Sequence, residues 1–520
     1  MLLINNLKLS LDTDFSVLKP TIEKILKCKL NDVRLYRKSV DARRKYDVHF
    51  CCSVLVSSDS EEKILKFNKN AMPYTEKKYV WQKCSNMPSN RPVVVGFGPA
   101  GMFCALTLAR AGLKPLVIER GGNVDERAKA VKDYFDGGKL DPENNVQFGE
   151  GGAGTFSDGK LTTGIKNPRA KTVIKVLNQM GAKDNILTDA KPHIGTDILV
   201  EVVRNIRKEV ISLGGEILFN TRLDDIEIVD QKIVSITANG SNIPCDTVVL
   251  ATGHSARDTY KMVLNKGADM VQKPFAVGVR IEHLQSDINK ALYGEFHNHK
   301  NLGAADYKLA THLENGRGVY TFCMCPGGEV VNASSESGAI AVNGMSNSSR
   351  DAENANSAVL VGVEPSDFPS SDILAGCELQ EKIEKAAYNL GCGAVPVNTV
   401  GNFVFGKEFK ISKVKPSVKP SFVYADFTKI FPQFICESLK EGIKNFGKKI
   451  SGFDDCEAIL TAPETRSSAP VRILRDDEFQ SNLRGIYPCG EGAGYAGGII
   501  SAAVDGMTVA EKIIENLNTN

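Results

Sequence analysis

Short apolar runs and amphipathic stretches alternate along the first 88 residues, which is the pattern of a small mixed module. We predict, in this order, a strand at Leu2–Leu9, a helix at Ser16–Leu30, strands at Val33–Val40 and Val48–Val56, and a helix at Ser60–Asn68. This order favours an α+β fold of the ferredoxin-like kind. The polar, proline-containing residues 83–92 that follow are typical of a linker.

Beyond the linker, strands and helices alternate, which is typical of a domain built on a parallel sheet. The predicted elements are strands at Pro92–Val95, Pro115–Ile118 and Glu216–Asn220, helices at Met102–Ala111 and Thr196–Leu213, and a three-stranded meander over 224–229, 232–238 and 245–250. A last strand at Gly485–Pro488 and a helix at Ile499–Leu517 lie at the far end of the chain. We therefore expect a discontinuous Rossmann-type domain made of residues 89–264 and 461–520.

Residues 265–460 interrupt that domain and carry their own elements. The predicted strands are Phe275–Glu282, Val319–Cys325 and Gly338–Val342, and the predicted helices are Glu378–Leu390 and Ile435–Phe446. We interpret this segment as an inserted α+β cap that forms a ligand cavity with the Rossmann-type domain. The predicted fold class is therefore α/β, with a small N-terminal module, a discontinuous Rossmann-type domain and a cap.

A glycine-rich turn joins the first strand of that domain to its first helix. Gly96 permits a tight turn, and Gly98, which has no Cβ, lets a pyrophosphate approach the backbone. Gly101, with Ala105 and Ala109, allows the helix to pack closely on the sheet. The helix N-terminus then directs free N–H groups at the phosphates. The motif predicts a dinucleotide site.

An acidic residue closes the second strand of the same unit. Glu119 lies 21 residues after Gly98, where a carboxylate can accept hydrogen bonds from ribose hydroxyls. The same charge would repel a 2′-phosphate. The first half of the site therefore predicts either FAD or NAD.

Two later glycine-rich segments bear on that choice. Residues Gln147–Lys160 contain five glycines between Gly149 and Gly159, which would let backbone amides lie against a planar ring or a pyrophosphate. The last strand runs into Gly490-Glu491, and the final helix starts at Gly497-Gly498. No second strand–GxGxxG–helix unit with an acidic or basic follower occurs, which argues against a dedicated NAD(P)H domain.

This order of segments resembles the two-dinucleotide-binding-domain (glutathione-reductase-like) flavoproteins. Within that class it is most similar to an uncharacterised bacterial family of FAD-dependent, or NAD(FAD)-utilising, dehydrogenases. The segments that carry the resemblance are 39–45, 147–163, 191–197, 278–283, 322–336, 463–473 and 490–506. The resemblance implies FAD, with its adenosine on the first βαβ unit and its ribityl chain at Gly490-Glu491. It supplies no substrate.

The residues predicted to contact FAD come from these motifs and from the ends of neighbouring strands. They are Gly96, Gly98, Pro99, Ala100, Gly101, Glu119, Arg120, Gly151, Gly152, Gly154, Leu223, Ala251, Thr252, Gly253, Gly490, Glu491, Gly497, Gly498 and Ile499.

Catalytic candidates are fewer. Lys160 ends the glycine-rich loop and is predicted to add positive charge near the flavin, with an ordinary ion pair as the alternative. His193 and His283 are the predicted proton-transfer residues; His254 is a further candidate, and a structural role is the alternative for each. Arg466 is a candidate clamp for a substrate carboxylate or phosphate, or else the partner of Glu464.

The thirteen cysteines form no CxxC motif, and their scatter is typical of reduced cytosolic thiols. The spacing of Cys323 and Cys325 would make a strained disulfide ring, so we expect buried or ligand-facing thiols there. The seven histidines form no HExxH or HxxxH array, and no metal is expected.

Composition and charge narrow the classes of protein to which this chain can belong. Apolar residues make up 42% and charged residues 24% of 520 residues, and no apolar run is long enough to span a membrane. The N-terminus lacks the features of a secretory signal, so we expect a soluble cytoplasmic protein. The net charge of +2 conceals an excess in residues 1–90, which contain 17 Lys or Arg and 10 Asp or Glu.

That basic excess leaves an alternative function open. The residues concerned are Arg34, Arg37, Lys38, Arg43, Arg44 and Lys45. They are expected to form a solvated face, since no aromatic platform lies among them, but they could bind an acidic partner or RNA.

The sequence therefore predicts an FAD-dependent oxidoreductase that passes a hydride between flavin N5 and a small substrate in the cap cleft. Electrons would come from transiently bound NAD(P)H, from the substrate or from a redox partner protein. An RNA-associated flavoprotein and a protein with purely structural FAD are the alternatives.

Overall fold

The computed structural model describes residues 1–519. Its N-terminal module is a four-stranded antiparallel sheet in the order β2-β3-β1-β4, with two helices in a β-α-β-β-α-β connection. The elements are β1 Leu2–Leu9, α1 Leu18–Leu26, β2 Asp32–Asp41, β3 His49–Ser57, α2 Glu61–Phe67 and β4 Ala71–Pro73. The predicted first helix is too long because Lys27 adopts a left-handed conformation, with φ of 53°, and ends it. No pattern in the sequence predicts the three-residue strand β4.

Next comes the first part of the Rossmann-type domain. Its elements are β5 Val93–Val95, α3 Pro99–Ala111, β6 Leu116–Ile118, α4 Val124–Phe135, α5 Arg169–Gln179, α6 Thr196–Ser212, β7 Glu216–Leu218, β8 Leu223–Val229, β9 Lys232–Ala238, β10 Ser241–Pro244, β11 Val248–Leu250, α7 Arg257–Asn265 and β12 Met270–Gln272. Strands β8, β9 and β10 form the antiparallel meander.

The inserted cap is built on a seven-stranded sheet. Its elements are β13 Phe275–Leu284, α8 Gln285–Tyr293, β14 Ala310–His312, β15 Gly318–Cys325, β16 Glu329–Asn332, β17 Val342–Met345, β18 Asn354–Val363, α9 Ala375–Gly391, β19 Val395–Thr399, α10 Val400–Phe405, β20 Phe422–Tyr424, α11 Gln433–Gly447 and β21 Ile459–Glu464. The sheet order is β14-β15-β18-β13-β21-β19-β20, and all pairs but β19–β20 are antiparallel.

The chain then returns to the Rossmann-type domain with β22 Val471–Ile473, β23 Ile486–Pro488 and α12 Ile499–Thr519. Strand β23 completes a five-stranded, wholly parallel sheet in the order β23-β11-β5-β6-β7. Strand β22 pairs with β12, so the two connections between domain and cap lie side by side.

Three sequence predictions differ from this arrangement. The boundary at residue 460 falls inside β21, which pairs with β13 and therefore belongs to the cap. The predicted strand over 245–250 is not the third strand of the meander, since β10, which precedes it, closes the meander and the wholly buried β11 joins the parallel sheet. The predicted strand Gly338–Val342 begins only at Val342, because Gly338, with φ of 75°, turns the chain before it.

Helices α3 and α12 pack closely in front of the parallel sheet because of two glycines. A Cβ on Gly101 would lie 1.9 Å from the carbonyl oxygen of Gly96, and one on Gly506 would lie 2.1 Å from that of Ala100. A side chain at Gly101 would force α3 away from the end of β5, and one at Gly506 would force α12 away from α3. The packing role predicted for Gly101 is confirmed, whereas Gly506 is not part of the sequence motif.

Within residues 1–519, no helix combines the length and apolar character needed to cross a membrane. The thirteen cysteines are all free thiols.

The close approach of α3 to β5 is tested by Gly101→Ala. Alanine is the better helix former, so propensity alone predicts a gain in stability, whereas the contact with Gly96 predicts a loss of about 1–3 kcal/mol. Urea unfolding measures the difference. Gly303→Ala is the control, because its methyl group would meet nothing within 4 Å. Unchanged or increased stability of Gly101→Ala would contradict the packing.

Candidate functional site

A cavity of about 330 Å³ lies between the parallel sheet and the cap. Its floor is formed where strands β5, β6 and β11 end, at Gly96, Glu119 and Ala251. Ligands of open parallel sheets bind at these carboxyl ends. Cap residues, among them Cys323 and Asn343, form the opposite wall.

The phosphate-binding turn lies at one end of the cavity. Helix α3 begins at Pro99, earlier than the predicted Met102, and Gly98 precedes it without any side-chain cap on the helix N-terminus. A Cβ on Gly98 would meet only Gly152, at 3.6 Å from its Cα. The turn is therefore bare main chain, and the first N–H groups of α3 are available to an anion.

Glu119 is the main acceptor at this end of the cavity. Its carboxylate accepts hydrogen bonds from the backbone N–H of Phe97 at 2.8 Å, of Gly149 at 2.9 Å and of Gly121 at 3.1 Å. A carboxylate has about four acceptor sites, so a further donor, such as a ribose hydroxyl, can still bind. Glu119 thus joins the phosphate turn to the glycine-rich loop.

The glycine-rich loop is held from behind by Arg127, a fully buried residue that no sequence motif indicates. Its guanidinium donates to the carbonyl oxygens of Asn145, Val146, Gly149, Glu150 and Gly152 at 2.7–3.3 Å. A Cβ on Gly149 would lie 2.5 Å from Arg127 Cδ, which explains a glycine there. An arginine four residues into a helix, with a glycine-rich loop 20 residues later, is too common a pattern to predict this contact.

Most of the predicted FAD contacts line this cavity. They are Gly96, Gly98, Pro99, Ala100, Glu119, Arg120, Gly152, Gly154, Leu223, Ala251, Thr252, Gly253, Glu491, Gly497, Gly498 and Ile499. Which of them touch the cofactor stays a prediction.

Three predicted contacts lie behind the cavity wall instead. Gly101 packs against β5, and Gly151, with φ of 86°, lies against Thr155 and Val203. Gly490 lies against Ala100, and its N–H donates to Asp505. A side chain would not fit at any of the three positions, so these glycines shape the wall, and their contact with the cofactor stays a prediction.

Of the predicted catalytic residues Lys160, His193 and His283, only Lys160 lines the cavity. Its Nζ lies 3.9 Å from Asp158, which is already paired with Arg350. His193 lies behind Lys160, bridged to it through the backbone, and its Nε2 is 3.3 Å from the carbonyl oxygen of Ser348. Burial and the charge of Arg350 lower its pKa.

His283 does not belong to the site, contrary to the prediction. Strand alternation places it with Val279 and Ile281, and that face of β13 packs into the cap core. Its Nε2 lies 2.8 Å from the carbonyl oxygen of Phe453. Arg280, on the opposite face, is the residue directed toward the cavity wall.

His254 and Glu491 face each other across the cavity. His254 Nε2 is 3.9 Å from the Glu491 carboxylate, and both residues line the cavity. Burial, with the charges of Arg466 and Arg257, lowers the pKa of His254 to about 3. Burial raises the pKa of Glu491 to about 7. His254 is therefore a neutral hydrogen-bonding group near neutral pH rather than a cation.

Two buried ion-pair networks support the cap side. Arg280 pairs with Glu464 at 2.9 Å. Arg466 and Arg257 both pair with Glu384 at 2.9 Å. Burial raises the pKa of Glu384, but the two guanidinium groups outweigh it and hold that pKa at about 2. The predicted pair Arg466–Glu464 is wrong, since each residue has another partner.

The last helix starts at the cavity, as its sequence predicts. Gly497 and Gly498 line the wall, and the N–H of Ala502 closes the first helical turn onto the carbonyl of Gly498. The positive end of the α12 dipole is thus directed at the cavity.

These features fit an FAD molecule lying across the sheet. The turn at Gly98 is a cradle that a side chain would fill, Glu119 retains acceptor capacity for a ribose, and the α12 N-terminus offers donors to a ring that gains negative charge on reduction. Residues missed by the sequence motifs, including Phe148, Phe322 and Asn343, complete the lining.

Family models match nearly the whole chain. Residues 90–273 match the model of pyridine nucleotide-disulphide oxidoreductases, and residues 274–467 match that of FAD-dependent proteins, C-terminal domain-like. A domain of unknown function matches residues 1–57. The boundary between the first two lies next to β12, where the structure passes from sheet to cap.

Similar proteins include one of Clostridium beijerinckii that is described as uncharacterized. It is 48% identical over 99% of both chains. Protein FixC of Escherichia coli K12 is 26% identical over 41% of this chain and 47% of its own length. Among solved structures, the flavin-dependent brominase Bmp2 is similar over 83% of this chain and 80% of its own, at 11% identity and a TM-score of 0.38. With the match to the Clostridium beijerinckii protein spanning the full length, the chain belongs to the family of that protein, a family of FAD-dependent oxidoreductases.

Proposed function

We propose that this protein transfers a hydride between FAD and a small substrate bound on the cap side of the cavity. The observation that carries the proposal is the continuity of the cavity, which has the phosphate turn at one end and polar cap residues at the other. Neither domain encloses the site alone, so a substrate at the cap wall would lie against the part of the cofactor farthest from Gly98.

The residues that would hold FAD divide by position. Gly98, Pro99 and Ala100 would meet the diphosphate with main chain, and Glu119 would accept from the adenosine ribose. The start of α12 would lie under the ring, where its dipole stabilises negative charge. When bound, the flavin supplies a ring that exchanges two electrons and a proton with a substrate.

The polar groups of the cap side would orient the substrate. Lys160 offers a positive charge, and Arg466 a second one that is partly neutralised by Glu384. His254 stays neutral and can donate or accept one hydrogen bond. This set suits a small substrate with an anionic group, and we propose that Lys160 and Arg466 bind that group.

For the electron donor, we propose a nicotinamide nucleotide that binds transiently on the cap side. The match of residues 90–273 to the pyridine nucleotide-disulphide oxidoreductases supports it. The sequence has no second strand–GxGxxG–helix unit with an acidic or basic follower, so no separate domain would hold the nucleotide between turnovers.

The phosphate turn is tested by Gly98→Ala. Its methyl group would make ordinary contact with Gly152 at 3.6 Å, and the backbone φ of −78° suits alanine, so the fold should be unaffected. The methyl group would occupy the space of the diphosphate, and we expect purified protein with little or no flavin absorbance. The melting temperature of the apo form should match that of flavin-stripped wild type. Normal flavin content in Gly98→Ala would show that the diphosphate binds elsewhere.

The donor is tested by anaerobic mixing with NADH or NADPH in a stopped-flow spectrophotometer. We expect one of them to bleach the flavin, at a rate that rises almost linearly with nucleotide concentration because binding is weak. Dithionite serves as the control that the flavin is reducible. If dithionite bleaches the flavin and neither nucleotide does, the proposed donor is wrong.

A further inference from the structure

Strand β15 is interrupted by a bulge where it reaches the cavity. Phe322 pairs with Ala358 of β18, and the next pair is Cys325 with Asn356. Between these pairs, two residues of β15 lie opposite one residue of β18. Cys323 lies in this bulge with φ of 40°, the left-handed region that residues with a Cβ rarely adopt. Bulges of this kind redirect a side chain and are common beside active sites.

The bulge changes which side chains reach the cavity. In a regular strand, consecutive side chains point to opposite faces. Here the consecutive residues Phe322 and Cys323 both line the cavity. The left-handed backbone at Cys323 therefore has a specific consequence, which is to present its thiol to the ligand-binding space.

The groups behind the thiol stabilise a negative charge on it. Cys325, which is fully buried, donates its S–H to the Cys323 carbonyl oxygen at 3.3 Å, and it lies close enough to the Cys323 side chain to lower the pKa of that thiol. Arg280 is fully buried as well, and its guanidinium donates to the same carbonyl oxygen at 2.5 Å and to Cys325 Sγ at 3.8 Å. The bulge thus lies on a buried cation.

Several charged groups set the pKa of Cys323. The hydrogen bond from Cys325 lowers it most; burial raises it, and the cations Arg280 and Lys160 lower it further. The net pKa lies well below that of an ordinary thiol. Asp158, from the glycine-rich loop, opposes the cations, but its own charge is paired with Arg350.

Two carboxyl groups also face the thiol. Cys323 contributes to the raised pKa of Glu464, on β21, and of Glu491, which follows β23, and burial is the main cause for both. Burial raises the pKa of both carboxyl groups, so each carries only part of its negative charge near neutral pH. The charge that Glu464 does carry is paired with Arg280. They therefore do not cancel the effect of Cys325 and the cations.

We propose that Cys323 is a catalytic thiol that contacts the isoalloxazine ring of bound FAD from the cap side and serves as the nucleophile of the cavity. An electron-rich sulfur against the electron-poor oxidised ring forms a charge-transfer pair. The same thiolate can add to the electrophilic carbon of a substrate double bond: the carbon–sulfur bond forms as the π bond breaks, and the π electron pair takes up a proton from solvent. The proposal rests on the proposed placement of FAD. Cys325 and Arg280 are positioning residues, since they act through Cys323.

The absorption spectrum of the flavin-loaded full chain tests the contact. As pH rises from about 5 to about 9, we expect a broad band beyond the ordinary flavin absorption to appear at a pH below the ordinary thiol pKa. Cys323→Ser should abolish the band. Cys325→Ala, which removes the donor, should move its appearance to higher pH, because the hydrogen bond from Cys325 is the main cause of the lowered pKa. Cys392→Ser, at an exposed cysteine, is the control and should leave the band unchanged.

Alkylation by iodoacetamide, mapped by mass spectrometry, tests the nucleophile in the unmutated chain. The rate at Cys323 should reach half its maximum at a lower pH than the rate at Cys392. Equal pH dependence at the two cysteines would overturn the proposal, and so would the absence of the long-wavelength band at every pH. The two failures are distinguishable: a colourless preparation refutes FAD binding itself, whereas a yellow one without the band refutes only the role of Cys323.

Discussion

The ligand-binding end of this protein depends on two buried opposite charges that hold bare main chain in place. Glu119 accepts three backbone N–H groups from the phosphate turn and the glycine-rich loop, and Arg127 donates to five carbonyl oxygens of that loop. Glycine-rich main chain has no side chains that could pack and fix its conformation, so hydrogen bonds to these two charged groups fix it instead. Each charge also lies in the field of the other, which helps to offset the free energy of burying them. A phosphate can then approach the backbone closely without the loop losing its shape.

The sequence predicts this half of the molecule well because its chemistry is local. Gly96, Gly98 and Glu119 lie within one βαβ unit, and their spacing alone indicates a dinucleotide site. Arg127 shows where such reasoning ends, since its five partners lie 18 to 25 residues away and are carbonyl groups, which every residue has. Gly490 shows a different limit: its motif predicts a contact, but its backbone conformation and the nearness of Ala100 give it a supporting role.

The cap is less predictable because its chemistry is assembled from distant strands. For β13, the alternation of side chains is evident in the sequence, but the face that meets the ligand is not. The sequence therefore predicts His283 instead of Arg280 as the site residue. Arg280 joins β13 to Glu464 of β21 and to the bulge of β15, three strands that are adjacent only in the folded sheet. The bulge at Cys323 likewise depends on the pairing of β15 with β18, which no local pattern specifies. The phosphate turn therefore consists of main chain held by fixed charges, whereas the cap contributes side chains that only the folded sheet brings together.

A crystal structure of the purified flavin-loaded chain would test the placement of FAD most directly. We expect an extended FAD molecule with its diphosphate within hydrogen-bond distance of the α3 N-terminus, its ribose at Glu119 and its ring between Gly497-Gly498 and the cap wall. Electron density that places the ring at Glu119, or that places FAD outside this cavity, would contradict it.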